Sequence, residues 1–91
     1  MVTKPEIEKA IQELEQSGKE SVRFSRLRSI CDRIFGTPGI SRSHHIYATP
    51  WAGDPLVNLQ QGKSGKAKPY QVTQVLRALH KLAGMTEDDD E

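Results

Sequence analysis

The sequence predicts an α+β domain, ordered helix, helix, small antiparallel sheet, helix, with the helices stacked on one face of the sheet and the other face free. Three observations carry this expectation. Apolar side chains recur at helical spacing in three segments that open on capping or proline residues and stop at glycine. Between the second and third of these, residues 40–60 hold β-branched and aromatic side chains, interrupted by Pro50 and by the turn cluster Ala52-Gly53-Asp54-Pro55. At 91 residues and 35% hydrophobic content, the chain has material for one core only.

In the first segment Thr3 is a candidate N-cap, Glu6 three residues later completes a capping box, and Pro5 sits in the first turn, where its missing N–H costs little. A helix from Lys4 to Ser17 follows, with Ile7, Ala10, Ile11 and Leu14 in a narrow stripe and Gly18 as its stop. Nothing in it carries chemistry, so residues 1–20 are read as an accessory helix that lies across the rest of the domain or meets another chain. Ser25 is placed to cap a second helix, whose Leu27, Ile30, Cys31, Ile34 and Phe35 span a wide apolar face before Gly36. The turn Thr37-Pro38-Gly39 leads into Ile40–Thr49, read as one strand or two, and Leu56–Leu59 alternates as a hairpin partner. Residues 62–68 form a flexible basic loop, and Pro69 suits the first position of a third helix. That helix has the best apolar stripe in the chain, Val72, Val75, Leu76, Leu79 and Leu82, with Gly84 as its expected terminator. The main domain is thus residues 21–85, and residues 86–91 form an acidic tail expected to be disordered, since it has nothing to bury.

Cys31 is the only cysteine, so no internal disulfide is available, and among apolar helical positions it reads as a small buried hydrophobe. No apolar run approaches the ~20 residues of a membrane span, and none follows Lys4 as in an export signal. The expected setting is the cytoplasm, with no membrane partner.

The net charge of +1 conceals a segregation. Residues 1–20 carry −2 and residues 87–91 carry −5, whereas residues 21–86 set ten Lys/Arg against Asp32 and Asp54 and carry +8. A basic body draws polyanions, so nucleic acid or an acidic protein is the partner class to test against an ordinary solvated basic face.

His44 and His45 are adjacent in a predicted strand, so their side chains point to opposite faces and do not act as a pair. They also make a poor metal site, because His80 lies on the last helix and Cys31 is expected in the core. A lone strand histidine is ordinarily structural. His44 shares parity with Ile46 and His45 with Tyr47, so if Ile46 faces the core, His45 is the exposed candidate. A bulge near Ser43 would instead turn His44 outward.

A resemblance adds to this reading. Ser43-His44-His45-Ile46-Tyr47, followed at fitting spacing by Lys66-Ala67-Lys68-Pro69-Tyr70-Gln71-Val72 and Gln74-Val75-Leu76, makes residues 22–83 resemble HicA-type toxins, the mRNA interferases of HicA/HicB toxin–antitoxin systems. That family has an α-β-β-β-α core similar to a double-stranded-RNA-binding domain, a Gly-Ser-His-x-x-aromatic motif on its sheet and a Lys-Pro pair opening its last helix. Arg42 stands where many members have the glycine, and the N-terminal helix is extra. The resemblance implies that His44 is catalytic, in a metal-independent endoribonuclease that cleaves mRNA, uses no cofactor and is neutralised by a HicB-like antitoxin. RNA supplies its own nucleophile in the 2′-hydroxyl, so a histidine to move protons and cations to hold phosphate suffice. Arg42, Lys63, Lys66 and Lys68 are the candidate phosphate contacts. Ser43, His45 and Tyr47 are secondary candidates, and Tyr47 or Trp51 is available to stack on bases of single-stranded RNA. Two other classes use the same features: a non-catalytic RNA-binding module, and an adaptor whose basic face meets an acidic protein.

Overall fold

The first helix, α1 (Lys4–Ser17), opens as its sequence predicts: Thr3 N–H donates to Glu6 Oε1 at 3.1 Å, and Glu6 N–H donates to the Thr3 hydroxyl at 3.4 Å. Gly18, at φ +79, ends it, in a conformation that side chains with a Cβ rarely adopt. The computed structural model that supplies this description covers residues 2–62 and 64–86. The acidic residues from Glu87 onward, expected to form a disordered tail, lie outside the described residues, as does Lys63.

The second helix, α2 (Phe24–Phe35), starts earlier than its candidate cap allowed. Its N-cap is Arg23, which makes no side-chain capping bond, and Ser25 lies inside the first turn. The N–H of Phe24 is satisfied from elsewhere in the chain, by the carbonyl of Gly65 at 3.0 Å. The third helix, α3 (Pro69–Met85), has Lys68 as N-cap and Pro69 in its first turn, as expected. It runs through Gly84, which keeps a negative φ, and closes where Thr86 donates its N–H to Ala83 O at 3.3 Å and its hydroxyl to Leu82 O at 2.7 Å.

The run Ile40–Thr49 divides into two strands. β1 (Gly39–Ser41) and β2 (His44–Tyr47) are joined by the two-residue turn Arg42-Ser43, and β3 (Val57–Gln60) completes an antiparallel sheet in the order β1-β2-β3. The register pairs His44 with Ser41 and Gln60, His45 with Ile40 and Leu59, Ile46 with Gly39 and Asn58, and Tyr47 with Val57. Pairing is continuous through residues 44–47, so β2 contains no bulge.

Alternation then settles which face is which. Tyr47 is 4% exposed, with Val57 and Leu59 buried beside it, whereas Ile46 is 46% exposed. Taking Ile46 as core-facing is therefore incorrect. The phenol of Tyr47 fills the space over α2, and its hydroxyl donates to Asp32 Oδ1 at 2.5 Å. Burial and this hydrogen bond both push the Tyr47 ionisation well above the ordinary tyrosine range, so the group stays a neutral donor. The helices cover the Tyr47 face and leave the other face bare.

The core is continuous across all the helices and the sheet, and α1 takes part in it fully. Ile7, Ala10, Ile11 and Leu14 join Leu27, Cys31, Leu59, Val72, Val75 and Leu79 in one buried cluster. On the surface, α1 is tied to α2 by Arg26–Glu13 and Arg33–Glu6 ion pairs. The Glu6 carboxyl is held below its ordinary value of 4.5, first by the Thr3 N–H and then by Arg33, and Glu13 is lowered chiefly by the hydrogen bond from Arg26. Trp51 closes the long β2–β3 connection: its indole N–H donates to Pro55 O at 3.0 Å, its ring meets Phe35 edge-on at 6.5 Å, and Lys81 Nζ sits 5.1 Å from its centroid. Among the described residues no helix is long and apolar enough to cross a membrane.

Two predictions follow from the packing. Leu14→Ala should destabilise the protein by about 2–5 kcal/mol in urea unfolding, comparable to Leu79→Ala, because both empty the same core; a loss under about 1 kcal/mol would make α1 peripheral. Because the Glu6 and Glu13 carboxyls have lowered values when folded, they favour folding above pH 4.5 and lose that contribution as pH falls through those values. The urea midpoint should accordingly decline with acidification below pH 4.5, and less steeply in Glu13→Gln.

Candidate functional site

The β1–β2 turn is where local geometry and composition disagree. Two-residue hairpin turns need positive φ at one or both central positions, and glycine or asparagine normally supplies it. Arg42 supplies it here at φ +60, alone among the non-glycine residues described. The position that holds glycine in the resembling motif is thus one whose backbone favours glycine, and an arginine occupies it under strain. Its side chain is exposed and makes no ion pair among the described residues.

From the register, Ser41, His44, Ile46, Asn58 and Gln60 share the bare face. His44 is half-buried there, and its Nδ1 lies 3.0 Å from Asn58 Oδ1, a diagonal cross-strand contact, since Asn58 is paired with Ile46. No hydrogen bond to the Nε2 of His44 is formed among the described residues, and this atom is not one of those buried without a partner. Gln60, directly opposite His44, donates from Nε2 to the Ser43 hydroxyl at 3.0 Å. Its own carbonyl accepts from the buried Gln71 side chain of α3 at 3.3 Å. The turn, β3 and the start of α3 are thereby linked through Ser43, Gln60 and Gln71.

His45 has the opposite fate. It lies on the helix-covered face, with its ring 5.9 Å from that of Phe24 in an edge-on arrangement and its Nδ1 buried without a partner. Tyr47, on the same face, is held by Asp32, so neither ring is available to an RNA base on the side where His44 lies. Trp51 serves the corner described above.

The basic loop is more ordered than its composition suggests. Ala67 N–H donates to Val22 O at 2.8 Å, Gly65 O accepts from Phe24, and Lys66 forms an antiparallel bridge with Arg23. Gly65, at φ +80, provides the turn that makes this possible. The loop leaves β3 at Gln60, the partner of His44, so it starts at the same end of the sheet as the Arg42-Ser43 turn. Lys66 is exposed and Lys68 half-exposed, while Lys63 lies outside the described residues.

Ion pairing sorts the cations. Arg26 and Arg33 are neutralised by α1, and Arg28 approaches Asp32 at 3.9 Å. Arg23, Arg42, Lys66 and Lys68 make no ion pair among the described residues, and neither do Lys9, Lys19, Arg77 and Lys81. Of these, Arg42 lies in the turn that precedes His44, and Lys66, bridged to Arg23, lies in the loop that leaves the sheet after Gln60. An imidazole on a bare sheet face, with basic segments entering and leaving the same end of the sheet, suits a phosphate-bearing polymer and proton transfer on it. Among the described residues no three His, Cys, Asp or Glu side chains converge as a metal cluster. Sequence reasoning missed Asn58, Gln60 and Arg23. The parity of Asn58 and Gln60 was readable, but the register that sets them against His44 was not, and nothing local marks Arg23 as the partner of Lys66.

Comparison with protein-family models, with curated proteins and with solved structures returns no match.

Arg42→Gly should relieve the turn. A left-handed residue costs roughly 1–2 kcal/mol and glycine gives back roughly 0.5–1 kcal/mol through unfolded-state entropy, so a net gain of up to about 1 kcal/mol is expected in thermal or urea unfolding. A destabilised variant would show that the arginine side chain holds the turn by itself.

Proposed function

We propose that this protein is a metal-independent endoribonuclease of the HicA toxin type, acting on mRNA in a single-stranded or locally opened form. The observation that carries the reading is the placement of His44 on the uncovered sheet face, its Nε2 not among the buried unpartnered atoms, at the end of the sheet that the Arg42 turn and the lysine loop share. The order α2-β1-β2-β3-α3 supports the further reading that the core is of the double-stranded-RNA-binding type, with α1 added to it.

In this mechanism a phosphate of the RNA backbone is held by Arg42 and by Lys66 and Lys68, whose charges stabilise the phosphorane as negative charge accumulates on its oxygens. Nε2 of His44 takes the proton of the neighbouring 2′-hydroxyl. The 2′-oxygen attacks phosphorus, the bond to the 5′-oxygen breaks, and the leaving oxygen is protonated. The products are a 2′,3′-cyclic phosphate and a 5′-hydroxyl. Ser43 orients the turn through Gln60, whereas His45 and Tyr47 hold β2 to the helices. A HicB-like antitoxin that masks the bare face and its basic rim would silence the enzyme, and an acidic surface would complement the +8 charge of residues 21–86.

The test is cleavage of a defined RNA by purified protein in EDTA. Wild type should yield cyclic-phosphate ends, a 2′-deoxy substitution at the cleaved nucleotide should block the cut, and His44→Ala should lower the rate by about 10²–10⁴-fold, the usual worth of a general acid–base group. Salt-sensitive binding with no turnover would instead make the protein a non-catalytic RNA-binding module, and no salt-sensitive RNA affinity would point to an adaptor.

A further inference from the structure

The His44–Asn58 contact specifies more than the presence of a histidine. An amide oxygen can only accept a hydrogen bond, so Asn58 Oδ1 at 3.0 Å from Nδ1 calls for a proton on Nδ1. A neutral ring with its proton there carries its lone pair on Nε2. An exposed histidine left to water prefers the reverse arrangement, with the proton on Nε2, so the neighbour has to impose this one. Asn58 is well placed to do so: it lies on the central portion of a paired strand, diagonal to His44, and the β2–β3 register holds the two backbones in place.

We propose that Asn58 is a positioning residue that fixes the Nδ1–H tautomer of His44 and presents Nε2, on the bare face, as the base that takes the proton of a ribose 2′-hydroxyl. The assignment rests on the endoribonuclease reading and narrows it. His44 enters the reaction as general base, leaves the attack step doubly protonated, and can return the Nε2 proton to the departing 5′-oxygen, so that ring and proton balance over the cycle. Asn58 itself touches neither substrate nor reacting atoms. Gln60 and Ser43 form a separate hydrogen bond that holds the turn preceding His44.

Nitrogen-15 NMR of the full-length protein reads the tautomer directly, without RNA. Neutral His44 should be Nδ1–H in wild type, return to the Nε2–H form in Asn58→Ala, and remain Nδ1–H in Asn58→Asp, where a carboxylate still accepts. Cleavage kinetics provide the second readout. Asn58→Ala should lower kcat about three- to tenfold, the worth of one exposed hydrogen bond, with KM little changed. Asn58→Asp should keep most of kcat at high pH and move the ascending limb of the pH–rate profile upward, because a carboxylate favours the protonated ring. Since Asn58 is exposed, both variants should fold, and their amide spectra check this. An Nε2–H ring in wild type, or a tautomer indifferent to Asn58→Ala, overturns the assignment whatever the protein does to RNA. No cleavage by wild type overturns the enzymatic reading, and undiminished cleavage by His44→Ala overturns the role given to Nε2; the ring signals separate both failures from the first.

Discussion

The bond between the Tyr47 hydroxyl and Asp32 fixes which side of β2 looks at the helices, and most of the molecule's organisation follows from it. A strand has a period of two, so once one side chain is committed to the core, its neighbours along the strand are assigned by arithmetic. Tyr47 inward puts His45 inward and His44 and Ile46 outward. A slip of one residue would bury His44 and expose the phenol, leaving Asp32 without its donor and the core without its aromatic plug. Val57 and Leu59 have the same parity across the register, so the choice is made twice by independent strands. The chemistry on the bare face is therefore only as well defined as the packing on the covered one.

The second organising device joins the basic loop to the helices. A loop with glycines, a serine and several lysines would ordinarily be a solvated tether. Here its backbone supplies what α2 lacks: Gly65 O takes the Phe24 N–H that no side chain caps, and Ala67 N–H finds Val22 O. The two bonds hold Lys66 beside Arg23 and set Lys68 at the start of α3. Both α2 and α3 thus begin with a basic N-cap and no acidic residue in the first turn. That arrangement is electrostatically unfavourable for the helices alone, since their N-termini carry partial positive charge, and it becomes favourable when an anion arrives. By contrast α1, whose N-terminus lies beside the C-terminal end of α2 through Glu6–Arg33, has the ordinary arrangement, with Glu6 in its first turn and a complete capping box.

The helices were legible in the sequence because their signals are local. Thr3, Glu6 and Gly18 bound α1, Pro69 opens α3, and most stripe residues are buried, although Phe35, Leu76 and Leu82 are only partly so and Gln71, Ala78 and Ala83 are buried beside them. What failed were inferences in which a long-range partner overrides a local preference. Ser25 is a good capping residue, but α2 is capped two positions earlier, at Arg23, where the Gly65 carbonyl takes the Phe24 N–H. Gly84 is a common helix stop, yet α3 gains by continuing to Met85, where Thr86 caps it. Ile46 is more apolar than Tyr47 on most scales, and hydropathy alone therefore places the wrong side chain inward; the aromatic ring wins because its polar tip has a partner on α2 and Ile46 stands opposite Asn58. The site shows the same division. His44 and the lysines are visible as residue types, while Asn58 becomes part of the site only through pairing across a connection whose length the sequence does not convert into a register.

A bare sheet face and two open edges are a hazard for any small protein, and the way this one contains it bears on function. Unpaired strand edges recruit other strands, and exposed Ile40 and Ile46 would favour that. The strands are only three or four residues long, Arg42 puts a charge at the tip of the hairpin, and the turn it occupies is a strained one. Short strands offer a second chain few hydrogen bonds, and a charged tip resists close approach of a like copy. These features cost sheet stability, which the continuous core beneath restores from one side only. The fold thus keeps one face uncovered by drawing its cohesion from the other, and the uncovered face is the one that carries His44 and Asn58.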